Sequence, residues 1–294
     1  SRPDTSNFRC EFGPAQNLGA TVNSPVFDGS PTVSADETEL LFTSARHPSA
    51  LRGQQDISVS TRPDRNAPWG APVNAGAMIN DSLGDDFSLR LSNDGTALYY
   101  ASNRSGGFGA GDMYVATRAS RQAPWNRAVN LGPLLNTGAF EAFPTPSADG
   151  LTLFFNRSTT FDSQDSDIWV STRARPDEQW GAPHKVSGGI NSERAEFSPA
   201  LSPDDKSLYF ASERSGSVEL WVARRGDFAD WAAPERLGAG VNVARSMTLA
   251  PFLSNDQRSL YFMSARQDSG VAAACTPATC FDRLDLYVST ASCR

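Results

Sequence analysis

One phrase returns along this chain at near-constant intervals. A turn aspartate in the pattern Ser-x-Asp falls at Asp36, Asp94, Asp149, Asp204 and Asp256, spaced 58, 55, 55 and 52 residues apart. The stretches around it include SLRLSNDGTALYYASNRSGG (88–107), SPALSPDDKSLYFASERSG (198–216) and APFLSNDQRSLYFMSAR (250–266). Self-similarity at a period of this size means that one small unit, unable to bury its apolar face alone, stacks against copies of itself.

Each unit holds four short segments. A Ser/Pro-rich run comes first and a run such as LYFAS second. The third opens on an acid: DISVSTR (56–62), DMYVATR (112–118), DIWVSTR (167–173), ELWVARR (219–225) and DLYVST (285–290). The fourth begins with Trp and closes on Asn: WGAPVNAGAMIN (69–80), WNRAVNLGPLLN (125–136), WGAPHKVSGGIN (180–191) and WAAPERLGAGVN (231–242). These runs alternate or are rich in β-branched and aromatic residues, and turn residues bound them, which predicts strands. Four strands per unit of this length predict propeller blades.

The chain ends set the number of blades. The fifth unit stops after its third segment, at Ser289-Thr290, and FGPAQNLGATVN (12–23) supplies the missing fourth, with Phe12 in the Trp place. The expected fold is therefore an all-β, five-bladed β-propeller of four-stranded blades, its ring closed by the N-terminal strand completing the last blade. Residues 1–294 read as one domain, with blades near 24–80, 81–136, 137–191, 192–242 and 243–290 plus 12–23. Such a closure covers the edge strands of that blade. It also brings Cys10 beside Cys293, while Cys275 and Cys280 lie five residues apart in CTPATC. Two disulfides are expected rather than a metal site, because the outer cysteines lack a CxxC partner and neither histidine is near.

The phrase SPALSPDDKSLYFASERSG…LWVARR resembles the WD40-like (PD40), TolB-type β-propeller repeat of bacterial envelope proteins. The resemblance extends over residues 12–290. It implies a binding or scaffolding module in the periplasm or outside the cell, in some members partnered with outer-membrane lipoproteins. The best-known members of that family have six blades, and the count here departs from theirs.

Three columns of polar residues recur. Arg46/Asp56, Arg104/Asp112, Arg157/Asp167, Arg214/Glu219 and Arg266/Asp285 place an arginine at the end of one run and an acid at the start of the next. An ion pair pinning the loop between them is the expectation, since a planar guanidinium grips a carboxylate with two bonds. The turn aspartates are expected to accept hydrogen bonds from their own turns. The third column is Asp28, Asp86, Glu141, Glu196 and Thr248, at the start of each innermost strand. Four carboxylates around a narrow axis would repel one another, and a Ca²⁺ or Mg²⁺ at the channel mouth would relieve this. The alternative is that each carboxylate caps a neighbouring backbone N–H. Asn23, Asn80, Asn136, Asn191 and Asn242, which close the units, are expected to shape the turn into the next blade.

Loops on a rigid frame are the expected binding surface. SGGFGAGD (105–112) and TTFDSQDSD (159–167) stand out, with Phe108 and Phe161 as candidate ligand contacts and Thr248 at the mouth; segment 266–285 is the longest such loop.

A net charge of −7 disfavours nucleic acid. No apolar run approaches the roughly 20 residues of a membrane helix. The start at Ser1, without Met, suits a mature or trimmed form. Near-identical blades argue against catalysis, which needs asymmetry, and His47 and His184 lie outside any shared motif. The leading expectation is a non-catalytic, monomeric, periplasmic or secreted binding propeller, with a protein or cell-envelope glycan as partner. The alternatives are a lectin-like propeller and a five-bladed glycoside hydrolase drawing its carboxylate pair from Asp28, Asp86, Glu141 and Glu196.

Overall fold

Alternating apolar residues and turn punctuation produce strands throughout. The computed structural model describes residues 10–47, 54–225, 230–244, 246–266 and 284–293. The N-terminal strands β1 (Cys10–Phe12) and β2 (Gln16–Asn17) belong to the last sheet. The first sheet is β3 (Asp28–Val33), β4 (Glu39–Ser44), β5 (Asp56–Thr61) and β6 (Val73–Asn74), in that spatial order. The second is β7 (Asp86–Leu91), β8 (Ala97–Ser102), β9 (Asp112–Thr117) and β10 (Val129–Asn130). The third is β11 (Phe140–Pro146), β12 (Thr152–Ser158), β13 (Asp167–Thr172) and β14 (His184–Lys185). The fourth is β15 (Glu196–Leu201), β16 (Ser207–Ser212), β17 (Glu219–Arg224) and β18 (Glu235–Arg236). Among the described residues every pairing between these strands is antiparallel, and one isolated bridge, Gly111 to Phe140, is parallel.

The last sheet has β19 (Thr248–Leu253), β20 (Ser259–Ser264) and β21 (Asp285–Cys293), and it takes its outer edge from the other end of the chain. Gln16 and Asn17 pair with Val288 and Tyr287, and β1 continues the edge with Cys10 opposite Cys293. The chain is a five-bladed β-propeller. Cys275 and Cys280 lie outside the described residues.

The first strands β3, β7, β11, β15 and β19 neighbour one another around the ring and so line its axis. Each carries a bulge against its second strand. Inside each bulge sits a non-glycine residue with positive φ: Ser30, Ser88, Phe143, Ser198 and Ala250, at 51–56°. A bulge adds an unpaired residue and bends the strand. Pro31, Pro144, Pro199 and Pro251 follow four of these residues, where the ladder needs no N–H.

Between blades the second strands bury their apolar faces; Leu40, Phe42, Leu98, Tyr100, Phe155, Phe210 and Phe262 are fully buried. Each such side chain contributes about 1.5–3 kcal/mol. The fourth strand is held by a repeated stack. The arginine that ends each third-strand motif lies over the following tryptophan: Arg62 on Trp69 at 4.0 Å, Arg118 on Trp125 at 4.1 Å, Arg173 on Trp180 at 4.1 Å and Arg225 on Trp231 at 4.4 Å. Three of these arginines also donate Nε to a carbonyl of the turn between the first and second strands, Glu37, Gly95 and Gly150.

The closing asparagines clamp rather than merely turn. Asn80 accepts from Ile57 N–H and donates back to Ile57 C=O, both at 2.9 Å. Asn136 does the same to Met113, Asn191 to Ile168, Asn242 to Leu220 and Asn23 to Leu286. A side-chain amide thus completes the ladder where the short fourth strand ends.

Candidate functional site

The column expected to gather at the axis is engaged inside the blades. Asp28, Asp86, Glu141 and Glu196 are fully buried. Each receives the arginine at the end of its second strand or two residues beyond it: Arg46 to Asp28 at 2.6 Å, Arg104 to Asp86, Arg157 to Glu141 at 2.8 Å and Arg214 to Glu196 at 3.2 Å. Each also accepts a backbone N–H from just upstream, from Ser24, Asp81, Thr137 and Ser192. In the fifth blade Thr248 takes the place of the acid and its hydroxyl meets that of Ser264 at 3.2 Å.

The arginine partners therefore differ from the sequence expectation. Arg46, Arg104, Arg157 and Arg214 reach back to the first strand, not forward to Asp56, Asp112, Asp167 and Glu219. Register explains it: Asp28, Asp86 and Glu196 lie opposite Ser44, Ser102 and Ser212, so the arginine two places further on projects beside the carboxylate, and in the third blade Arg157 lies directly opposite Glu141. The third-strand acids instead bind the fourth strand: Asp56 with Asn74, Asp112 with Asn130, Asp167 with Lys185 and Glu219 with Arg236. The turn aspartates do accept from their own turns; Asp36, Asp94, Asp149, Asp204 and Asp256 each take a serine hydroxyl at 2.6–2.7 Å.

A shared cation at these acids has no geometric basis in the repulsion argument, because each carboxylate carries its own guanidinium. Among the described residues no three His, Cys, Asp or Glu side chains group as a metal site. At Asp86, burial pushes the carboxyl up to about 6 against the pull of Arg104. At Arg104 the balance is the reverse: burial lowers, but Asp86 and Tyr100 raise it further. Only Asp86 changes charge near neutrality, so it carries the pH dependence of the pair.

The middle of the axis is closed. Pro31, Leu89, Pro144, Pro199 and Pro251 surround a void of about 10 Å³. A pocket remains on each side. On the side where the first strands begin, a cavity of about 280 Å³ is lined by Phe27, Phe87, Phe140, Phe143, Phe161 and Met263, with Gln55, Asp85 and Asn103 at its polar edge. Phe87 and Phe140 stack 5.8 Å apart, and Phe161 meets Phe140 edge-on at 5.5 Å. Asp85 is held by Gln55 N–H at 2.8 Å and by Asn103 at 2.9 Å. A second cavity of about 280 Å³ opens on the face of the turn aspartates.

The loop candidates divide. Phe161 lines the aromatic pocket, 54% exposed. Phe108 is also exposed, but its loop serves its own blade: Phe108 and Gly109 N–H groups bind the Asp112 carboxylate at 2.7 and 3.0 Å. A side chain at Gly109 would run into the carbonyls of Thr137 and Ala139. In the 159–167 loop, hydroxyls of Thr159 and Ser163 bind Asp165 and hold its carboxyl at about 2.

Comparison with family models finds no match, and comparison with curated proteins finds none. Solved structures do match. TolB from Acinetobacter baumannii is 14% identical, with a TM-score of 0.51, over 81% of this chain and 49% of that one. An α-L-arabinofuranosidase from Podospora anserina, in complex with cellotriose, is 11% identical, with a TM-score of 0.59, over 97% of both chains. An endo-arabinase from Bacteroides thetaiotaomicron is 14% identical, with a TM-score of 0.59, over 95% of this chain and 97% of that one. These likenesses show the fold alone. No helix among the described residues is long and apolar enough to cross a membrane.

Proposed function

We propose that this propeller is a non-catalytic binding module, and that the phenylalanine-lined mouth receives an apolar side chain of a protein partner. The observation that carries this reading is the contrast between the two residue sets at that end. The repeated acids are fully buried behind arginines, whereas the residues that differ between blades form an open aromatic pocket. Aromatic anchors in a preformed concavity with a few polar groups are the usual make-up of a binding site. Hydrolysis of a glycoside needs two carboxylates beside the scissile bond, and among the described residues Asp85 is the one carboxylate in this lining. The TolB likeness agrees with a binding module and the arabinanase likeness with a hydrolase, so neither decides.

A second reading follows from Asn103, Asp85 and Gln55 at the pocket edge: phenylalanine faces beside amide and carboxylate groups also suit a sugar ring. The four cysteines support a location outside the cytoplasm in this proposal.

A photo-crosslinking residue at position 161, with position 129 on the outer strand as control, tests both readings in envelope extracts. A protein adduct at 161, absent at 129 and reduced by Phe87→Ala, supports the first. Protection of 161 by soluble cell-wall glycan without a protein adduct supports the second. Equal labelling at both positions contradicts both.

A further inference from the structure

Position 90 breaks the repeat. Four residues beyond Asp28, Asp86, Glu141, Glu196 and Thr248 stand Thr32, Arg90, Thr145, Ala200 and Phe252. The two threonines are bound to neighbouring backbone: Thr32 Oγ1 accepts Leu91 N–H at 3.1 Å, and Thr145 donates to the Pro199 carbonyl at 2.7 Å. Arg90 is the one charged residue of the five.

Its guanidinium is under-partnered. Nη2 donates to the Pro251 carbonyl at 2.9 Å, and the group lies 4.8 Å from the centre of the Phe252 ring. Nε is buried without an acceptor. Burial pushes its pKa down to about 9, and no carboxylate opposes that shift. Arg90 lines the 280 Å³ cavity on the turn face.

An under-partnered anion lines the same cavity. Asp205 has φ 59° and accepts a single N–H, that of Ala148, at 3.2 and 3.3 Å to its two oxygens. Burial, helped by the nearby charges of Asp149 and Asp204, pushes its pKa up against the pull of the Ala148 N–H and the Arg225 charge. The other lining carboxylates, Asp94 and Asp149, are bound to serine hydroxyls and to turn N–H groups. Both line the cavity, and among the described ion pairs none joins Arg90 to Asp205.

We propose that this cavity binds a small zwitterion of amino-acid or dipeptide size, its carboxylate on Arg90 and its ammonium on Asp205. A guanidinium with free N–H groups matches a planar carboxylate. The three lining carboxylates disfavour a phosphate or dicarboxylate, which adds negative charge beside them. They favour a ligand that brings one positive group with its one negative group. The volume lies at the small end of ligand cavities, about 300 Å³. The site is on the opposite end of the first strands from the aromatic mouth, so it stands or falls independently of the binding function proposed there.

Calorimetry with three peptides tests it on the wild-type protein. L-alanyl-L-alanine is the zwitterion, its N-acetyl form lacks the ammonium, and its C-terminal amide lacks the carboxylate. The expected result is one-to-one binding of the zwitterion, with each blocked form weaker by roughly tenfold or more. Arg90→Met removes the binding without lowering the melting temperature, since it removes an unpaired buried charge; Arg90→Lys, which keeps charge but not the fork, weakens it. Asp205→Asn weakens the zwitterion and leaves the N-acetyl form unchanged. No heat from the zwitterion, equal affinity for a blocked form, or unaltered binding by a folded Arg90→Met or Arg90→Lys variant overturns the proposal.

Discussion

Arg46 holds the fully buried Asp28 carboxylate at 2.6 Å, from a position eighteen residues further along the chain. The same guanidinium reaches the Val22 carbonyl of the preceding segment. One arginine therefore ties a blade's first strand to the chain that enters it. Removing one partner of a buried pair leaves a charge without compensation and costs about 3–5 kcal/mol. Arg46→Met is expected to destabilise the protein by about 3 kcal/mol in urea unfolding. The double change with Asp28→Leu is expected to cost clearly less than the sum of the single changes.

Asn242 holds Leu220 through both its N–H and C=O, and it donates to Leu237 as well. Asn242→Ala leaves buried backbone groups unpaired at about 1–3 kcal/mol each. The expected loss is about 2–3 kcal/mol by urea unfolding. An exposed control such as Asn93→Ala is expected to change stability by less than about 0.5 kcal/mol.

Asp86 sets a pH dependence. Its folded pKa is about 6 against the ordinary 3.8. Between those values the folded state binds more protons than the unfolded state. Stability contributed by the protonated carboxyl is then complete below about pH 4 and is lost as pH rises through 6. Asp36, held low chiefly by Arg121, acts in the opposite sense and loses stability only in strong acid. Melting curves from pH 4 to 7 are expected to show a downward contribution in the wild type that Asp86→Asn removes.

Cys10 and Cys293 face each other across β1 and β21. Directly opposed antiparallel residues have Cα atoms about 4.5–5.5 Å apart, within the span of a disulfide. Peptide mapping without reductant is expected to recover the two as one cross-linked fragment. Reduction is then expected to cost about 2–4 kcal/mol. Two separately alkylated peptides contradict the bond.

The period, the five units and the closure by residues 12–23 were legible because strands, turns and their spacing are local signals. The turn aspartates were legible for the same reason. Partner choice was not. Arg214 is five residues from Glu219 and eighteen from Glu196, yet antiparallel register puts it beside the distant acid. The column of acids is visible in the sequence, and so is the option that each caps a backbone N–H, but the guanidinium that meets each carboxylate is not. The bulges place non-glycine residues, Ser30, Ser88, Phe143, Ser198 and Ala250, at positive φ, which nothing in those residue types announces. Arg90 had a signal: a single cation in a column of uncharged residues, visible by counting four from Asp86. Phe161 reached a pocket because Phe140 and Phe87 stand beneath it, a contact that joins two blades.

The repeated acids build the frame, and the proposed function lies in the mouth residues that break the repeat. Hydrolysis of a panel of aryl arabinofuranosides and linear arabinan by the wild type, Glu141→Gln and Glu196→Gln proteins tests it most directly, with melting temperature measured on each. The expected result is no turnover by the wild type above the uncatalysed rate, and lowered melting temperatures for both variants. Turnover by the wild type that either variant abolishes at an unchanged melting temperature would contradict it.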